Sequence, residues 1–234
     1  MNRYQESDRT SYSLGMSLTI ELLKKRPENV REVFLSKKAA KNEQLNLLLE
    51  LCRKQKIAPK YDDQLIEKLS VKENCYCIGV FDKYQEKVRD GNHIVLYGFT
   101  DFGELGTVLR TAVSFDFKEI VLIGKRLDYF DPRCIRASMG SIFHCRISSY
   151  EDLDSYRKDY SHQNLIPFVS HSNKELSNLT LEEPYSLMIS QDYEGLDHLS
   201  DKGYFIEHQK QKEISLSVRS SIILAHAYYL NLKR

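Results

Sequence analysis

Apolar and polar positions alternate along the first 90 residues in a way that predicts a succession of helices and strands. Apolar side chains recur at helical spacing in 17–26 and 42–55, and Asn42 is placed to cap the second helix. The predicted elements of this half are helices at 17–26, 42–55 and 62–70 and strands at 30–36, 57–61 and 75–83. This alternation implies a small α/β sandwich.

The alternation starts again after a charged segment, 83–92, which contains an Asp-Gly turn signal and is the best linker candidate. The second half is predicted to contain strands at 93–99, 118–124, 144–150, 164–170 and 185–190, helices at 103–116, 151–161 and 216–234, a helical or turn-like segment at 135–143 and a short extended segment at 204–207. Near-continuous apolar strands between helices indicate a buried parallel sheet. We therefore predict an α/β protein with two domains, residues 1–88 and 89–234.

Composition narrows the class of protein without naming a function. The 234 residues are 41% hydrophobic and 29% charged, which is typical of a globular protein. No apolar run approaches the ~20 residues that span a bilayer, and the polar N-terminus lacks the apolar core of a signal peptide. The five cysteines are scattered without C-x-x-C spacing. We therefore expect buried thiols, no metal site, no membrane partner and a cytoplasmic location.

The distribution of charge gives only a weak indication of the kind of molecule that the protein binds. The net charge is +1, with a small excess of basic side chains in the first 90 residues and a small acidic excess in the rest. This asymmetry fits a front half that faces nucleic acid, and it fits an ordinary solvated helical surface equally well. The densest basic grouping of the front half is a set of candidate phosphate contacts, Lys24, Lys25, Arg26, Lys37 and Lys38.

The stretch FTDFGELGTVLRTAVSFDF (99–117) is the first that points to chemistry. We expect a tight loop with Gly103 and Gly106 that leads into an amphipathic helix. Arg110 lies beside the buried stripe of this helix. Its guanidinium cannot lose its proton, so at a site it would bind phosphate or stabilise developing negative charge. Away from a site, it is an ordinary surface cation.

Three later stretches add to this one. Small residues accompany Arg136 in DPRCIRASMGSIFHCRI (131–147), an apolar strand ends in a polar loop in SLMISQDYEGL (186–196), and serines precede the last helix in KEISLSVRSSIIL (212–224). Ligands of a doubly wound sheet sit at the carboxyl ends of its strands. Three of the four stretches are loops that leave such ends, which favours a ligand site at that edge.

Taken in order, the four stretches resemble the motifs of the SpoU (TrmH-like) RNA 2′-O-ribose methyltransferases of the SPOUT superfamily. TDFGELGTVLRTAVSFDF (100–117) is similar to that family's DPGNLGTILRTADAFG, and RASMGSIFHCRI (136–147) to its RASAGALFHLPV. The third and fourth stretches resemble the methyl-donor motifs, roughly VLGNEGxGL and IPMxGxxxSLNVSVAAAI. The resemblance covers 93–234, and the front half looks like the ribosomal-protein-type substrate-binding domain that such enzymes often carry.

The resemblance implies a parallel sheet with a deep trefoil knot, a homodimer formed through the C-terminal domain, and methyl transfer from S-adenosylmethionine to a ribose 2′-hydroxyl of rRNA or tRNA. Arg110 would orient the RNA phosphate or lower the pKa of the hydroxyl, and Ser215 would position the ribose. This chemistry needs no metal. The implied catalytic residues are Arg110, Ser215 and Asp192, and the implied donor-binding residues are Ile189, Ser190, Gly195, Leu196, Ile206 and Leu216. Arg136 joins the five basic residues of the front half as a candidate RNA contact.

The chain departs from the family pattern at positions that carry function. Glu104 brings a negative charge to a site that should receive phosphate, and Arg219 is a large cation where the family has a small residue. The substituted positions are Glu104, Ser190, Gln191, Asp192, Glu207, His208, Ser217 and Arg219. Two hypotheses follow: an active RNA ribose methyltransferase with a divergent site, or a non-catalytic RNA-binding homologue that binds the donor weakly or not at all.

Overall fold

The computed structural model describes residues 3–70, 74–125, 127–170, 172–191, 196–199, 201–207 and 214–233. The chain divides into two units: unit 1 comprises 1–84 and 128–144, and unit 2 comprises 85–127 and 145–234. The chain therefore passes between the units three times, because the segment that follows residue 127 belongs to unit 1. The proposed domain boundary at 88/89 stays a prediction.

Helices and strands alternate through both units. The strands are β1 (Thr10–Leu14), β2 (Val30–Leu35), β3 (Lys60–Tyr61), β4 (Cys77–Asp82), β5 (His93–Tyr97), β6 (Glu119–Ile123), β7 (Arg146–Tyr150), β8 (Asn164–Phe168) and β9 (Tyr185–Ser190). The helices are α1 (Met16–Lys25), α2 (Glu43–Lys54), α3 (Asp63–Leu69), α4 (Phe102–Ser114), α5 (Pro132–Ala137), α6 (Leu153–Asp159) and α7 (Leu216–Leu232), with 3₁₀ turns at Pro27–Asn29, Ser141–His144, Leu176–Asn178 and Asp197–Leu199. Asn42 caps α2 as predicted, since its side chain accepts the N–H of Leu45 at 3.0 Å.

Unit 1 contains a mixed four-stranded sheet in the order β1-β4-β2-β3. The almost fully buried β4 pairs antiparallel with both β1 and β2, and the short β3 lies parallel to β2 at the edge. Helices α1 and α2 pack together over one face, where Leu23, Val33, Leu48 and Cys77 form a core. The layered α/β arrangement predicted for this half is therefore present.

The strand β1 is missing from the sequence-based prediction, which treats the start of the chain only as a polar segment. Its residues Ser11 and Ser13 are fully buried in spite of their polarity. The hydroxyl of Ser11 donates to the carbonyl of Phe130, and that of Ser13 lies 3.0 Å from the hydroxyl of Thr19. The Ser13 hydroxyl also donates to the carbonyl of Gly79 at 3.3 Å. Phe130 and Gly79 are distant in sequence, so local hydrophobicity gave no signal of burial.

The long connection between β6 and β7 is fixed to unit 1 at both of its ends. At its start, Lys83 Nζ donates to Asp128 at 2.7 Å. At its end, His144 Nε2 lies 2.7 Å from Glu21 Oε2. Burial opposes the charged carboxylate, but the hydrogen bond to His144 and the charge of Lys24 lower the pKa of Glu21 overall. Most of the second stretch, residues 131–144, thus belongs to unit 1 and is held there by these contacts.

Unit 2 contains a five-stranded sheet in the order β7-β6-β5-β9-β8, and every pairing is parallel. This is the buried parallel sheet predicted from the apolar strands, and β9 is buried at each of its positions. Helix α4 packs against α7. Among the described residues, no helix combines the length and the apolar character needed to cross a bilayer. The trefoil knot stays a prediction.

The segment taken as a linker is held against β6 and β7. Val88 is buried, and its N–H donates to Ser148 Oγ at 2.9 Å. The next N–H, that of Arg89, donates to a carboxylate oxygen of Glu119 at 2.8 Å. The chain is therefore anchored on unit 2 before β5 begins.

A buried histidine, His93, lies at the amino-terminal end of β5, the central strand of the sheet. The Nε2 of His93 lies 2.7 Å from the carbonyl of Arg89, which can only accept, so the neutral ring donates there. Its Nδ1 then accepts from the hydroxyl of Tyr156 at 2.8 Å, and that hydroxyl lies 2.7 Å from Ser186 Oγ. Burial is the largest influence on this ring, and it lowers the pKa of His93.

We expect the free energy of unfolding to fall as the pH drops below the ordinary histidine value of about 6.5. Because the pKa of His93 is lowered in the folded state, the unfolded chain takes up the proton first; the stabilisation is complete above that value and is lost below it. Urea unfolding at pH 7.5 and 5.5 should show a larger loss for the natural sequence than for His93→Asn. The substitution should itself cost about 1–3 kcal/mol at pH 7.5, because it leaves the buried Tyr156 hydroxyl with one partner fewer. Equal losses for the two proteins would contradict this role of His93.

Candidate active site

Helix α4 begins at Phe102, one residue before the predicted start, and both glycines of the expected loop are helical. Asp101 caps the helix, since its Oδ1 accepts the N–H of Glu104 at 2.8 Å. Gly103 and Gly106 therefore lie inside the helix, and the prediction of a tight glycine loop is wrong. A Cβ at Gly103 would lie 3.1 Å from Asp101 Oδ1, so the glycine leaves room for the capping carboxylate. The turn itself is made by Gly98, with a φ of 73°, which sequence reasoning overlooked.

Arg110 is exposed on α4, beside the buried face of the helix. Leu105, Val108, Leu109 and Ala112 form that face and are almost completely inaccessible to solvent. Within the part of the chain that the structure describes, the Arg110 side chain makes no hydrogen bond or ion pair. Its guanidinium is thus available to an anionic ligand, with all five N–H donors uncommitted to these residues.

The strands β5 and β9 end side by side next to the start of α4. Tyr97 lies opposite Ser190, and the N–H of Gln191 donates to the carbonyl of Tyr97 at 3.0 Å. The Gln191 side chain then reaches the loop before α4, where its Oε1 accepts the N–H of Thr100 at 2.7 Å. The first and third motifs therefore meet at the carboxyl edge of the sheet.

Two of the donor-site candidates end β9 at this edge, and the others come later in the chain. Ile189 and Ser190 are the buried last residues of β9, and Leu196 is buried in the hydrophobic core of unit 2. Tyr204 bridges to Phe168 at the end of β8. The half-buried candidate Ile206 comes two residues later. Asp192, Gly195 and His208 lie outside the described residues.

The fourth motif brings the start of α7 to this edge. Ser215 is the exposed residue at the helix N-cap, and its side chain makes no capping hydrogen bond. Leu216 is buried directly after it. In the first turn, Arg219 Nη2 donates to the carbonyl of Ser190 at 2.6 Å. Candidates from three separate parts of the sequence, on α4, after β9 and at the start of α7, are thus brought together in unit 2.

The six candidate RNA contacts all lie in unit 1 and differ in their environment. Arg26 is half-buried, donates from Nε to the carbonyl of Phe143 at 3.0 Å and lies over the ring of Tyr84. Lys24 lies 3.4 Å from Glu21, and Lys38 lies 3.7 Å from Glu67. The exposed Lys25 and Lys37 and the half-buried Arg136 make no side-chain hydrogen bond or ion pair with the described residues.

This geometry agrees with comparisons to known proteins. Residues 91–203 match the model of the SpoU rRNA Methylase family. The chain carries a SpoU methylase domain. No curated protein matches the sequence.

Solved structures extend the likeness of fold beyond the SpoU domain to nearly the whole chain. The SpoU methyltransferase AviRb from Streptomyces viridochromogenes, in complex with the cofactor AdoMet, has a TM-score of 0.80 at 15% identity, over 97% of this chain and 92% of that chain. An RNA 2′-O ribose methyltransferase has a TM-score of 0.78 at 19% identity, over 97% and 91%. An AdoMet-bound rRNA methyltransferase from Sinorhizobium meliloti has a TM-score of 0.75 at 17% identity, over 94% and 87%. At these identities the likeness establishes the fold, α/β with a parallel sheet in the SpoU domain.

Proposed function

We propose that this chain transfers a methyl group from S-adenosylmethionine to a ribose 2′-hydroxyl of RNA. The observation that carries the proposal is the meeting of three family motifs at the carboxyl edge of β5 and β9, with the uncommitted cation Arg110 on the adjoining helix. A parallel sheet places its ligands at that edge. The matched SpoU family supplies the class of reaction.

The residues present at the edge fit a nucleoside-type donor. Strand β9 ends at Ser190, Tyr204 bridges to Phe168 at the end of β8, and α7 begins at Leu216. Backbone N–H and C=O groups of these segments can bind the polar atoms of a nucleoside, and the apolar side chains of Leu196 and Leu216 are buried in the same unit. Ser190 replaces a glycine of the family motif, and its side chain is 1% exposed. Its Cβ is therefore covered by protein and does not project into open solvent.

The chemical difficulty lies in the hydroxyl, which is a poor nucleophile until its proton leaves. Bound S-adenosylmethionine supplies an electrophilic methyl group. A guanidinium at Arg110 would hold the RNA phosphate and favour the developing alkoxide electrostatically, because it stays charged throughout. Ser215, exposed at the start of α7, would position the ribose, and Asp192 stays a predicted participant in the donor loop.

The alternative is a non-catalytic RNA-binding homologue. The observation that favours it is the position of charge: Glu104 lies in the first turn of α4, and Arg219 reaches the carbonyl of Ser190. These charged side chains stand where the family has an asparagine and a small residue. Donor binding and methyl transfer by the natural sequence decide between the two.

We expect Arg110→Ala to lower kcat for methyl transfer about 100-fold or more, because it removes the cation that stabilises the transition state. The affinity for S-adenosylmethionine should stay within about twofold. The assay uses unmodified ribosomal and transfer RNA transcripts, with 2′-O-methylnucleosides quantified by mass spectrometry after digestion.

Arg157→Ala is the matched control, since Arg157 is an exposed arginine on α6 of the same unit. It should keep the natural rate. Activity of Arg110→Ala within threefold of the natural protein would refute the catalytic role. Binding of RNA without any methyl transfer by the natural protein would favour the non-catalytic alternative.

We also propose that two chains associate through α7. One face of this helix, with Leu216, Ile223, Leu224 and Ala227, is buried within the chain. The opposite face carries four exposed apolar side chains, Val218, Ile222, Tyr229 and Leu232. Because apolar side chains lie on both faces of α7, both faces are stabilised by burial. A second copy of the chain, packed on the exposed face through the same residues, would bury it.

We expect Ile222→Asp to shift the protein from dimer to monomer in sedimentation equilibrium, since it places a charge within the apolar face. Its far-UV circular dichroism should be unchanged, because Ile222 is already 36% exposed in the single chain. The control Arg157→Asp puts a carboxylate on an exposed position of α6 and should stay dimeric. A natural protein that is monomeric at high micromolar concentration would exclude this interface.

Unit 1 is the proposed RNA-docking part. Of its candidate contacts, Lys25, Lys37 and Arg136 make no side-chain hydrogen bond or ion pair with the described residues. That the RNA is ribosomal or transfer RNA stays a prediction from the sequence. The five cysteines are free thiols, and all but the half-buried Cys75 are buried. Free thiols support the proposed cytoplasmic location.

A further inference from the structure

The turn that follows β9 is held by an arginine from α7. Arg219 Nη2 donates to the carbonyl of Ser190 at 2.6 Å and lies 3.5 Å from the carbonyl of Gln191. The first of these distances is that of a strong, charge-assisted hydrogen bond. These carbonyls belong to the last residue of β9 and to the residue that follows it. Arg219 therefore joins the first turn of α7 to the start of the donor loop.

A second tie connects this turn to the loop before α4. Gln191 Oε1 accepts the N–H of Thr100 at 2.7 Å, and its Nε2 donates to Thr100 Oγ1 at 3.0 Å. Thr100 directly precedes Asp101, the cap of the helix that carries Arg110. Two hydrogen bonds, together with the peptide bonds between residues 190 and 191 and between residues 100 and 101, thus connect α7 to the start of α4.

We propose that Arg219 is a positioning residue for the methyl donor, which sets the spacing between the turn after β9 and the start of α7, two of the segments proposed to bind the donor. This inference rests on the proposed function. A ligand held by several loops requires those loops at fixed separations, and small displacements cost affinity and rate. Without Arg219, the turn at 190–191 loses its hydrogen bond to α7, whereas Gln191 keeps its hydrogen bonds to Tyr97 and Thr100.

The proposal gives a shared physical reason for two departures from the family pattern. Gln191 stands in place of an asparagine, and Arg219 in place of a small residue. Both are long enough to reach across to a neighbouring segment, and both do so. The divergent residues therefore form a support for the site.

The planar guanidinium suits this task better than an ammonium would. One of its nitrogens, Nη2, contacts both successive carbonyls and is held in a rigid plane, whereas a lysine presents a compact charge on a flexible stem. Arg219→Lys should accordingly restore part of what Arg219→Ala loses.

The test measures binding of S-adenosylmethionine by calorimetry to the natural protein, Arg219→Ala, Arg219→Lys and the control Arg157→Ala. We expect Arg219→Ala to weaken donor affinity about 10- to 100-fold and Arg219→Lys about 3- to 10-fold, with the control unchanged. At saturating donor, kcat of Arg219→Ala should still lie below the natural value, because excess donor compensates for weak binding but not for a misplaced methyl group. A purely structural role would lower the melting temperature and leave the affinity of the folded protein unchanged.

Natural affinity in Arg219→Ala, or tighter binding than in the natural protein, would overturn the proposal; the latter would mean that Arg219 obstructs the site. If Arg219→Ala fails to fold, Arg219→Lys decides, and natural affinity in that variant refutes the role. A natural protein that binds no donor refutes the proposed function itself, before any variant is compared, and the inference with it.

Discussion

The parallel pairing of β5 with β9 is the interaction on which the candidate site depends. It places Tyr97 opposite Ser190, so that both strands finish at one level in the middle of the sheet. Both strands are buried almost throughout, which fixes their register, since a slip of one residue would turn every side chain to the other face. The loop to α4 and the turn after β9 therefore start from neighbouring points.

Two charged substitutions near this edge have structural reasons that do not require loss of function. Glu104 lies in the first turn of α4, where a carboxylate interacts favourably with the positive end of the helix dipole. Arg219 binds the carbonyl of Ser190. Arg110, in contrast, makes no side-chain hydrogen bond or ion pair within the described part of the chain. Of these two arginines, Arg219 therefore binds a backbone carbonyl, and Arg110 is available to a ligand.

Local patterns predicted most of the elements but not the contacts between them. The cap at Asn42 and the strand 185–190 follow from composition over a few residues, and both are present. The strand β1 was missed because its buried serines donate to carbonyls in other parts of the chain, those of Phe130 and Gly79. The tie from Arg219 to Ser190 spans 29 positions, and no spacing rule encodes it. The family resemblance named the site segments, whereas the support between them is visible only in the fold.

Calorimetric titration of the full-length natural protein with S-adenosylmethionine tests the central claim most directly. We expect saturable binding of one donor per chain in the micromolar range, because hydrogen bonds join the loop before α4, the turn after β9 and the start of α7 before the ligand arrives. Absence of any binding heat at high micromolar donor, confirmed by equilibrium dialysis, would contradict it. The SpoU fold would then serve RNA binding without methyl transfer.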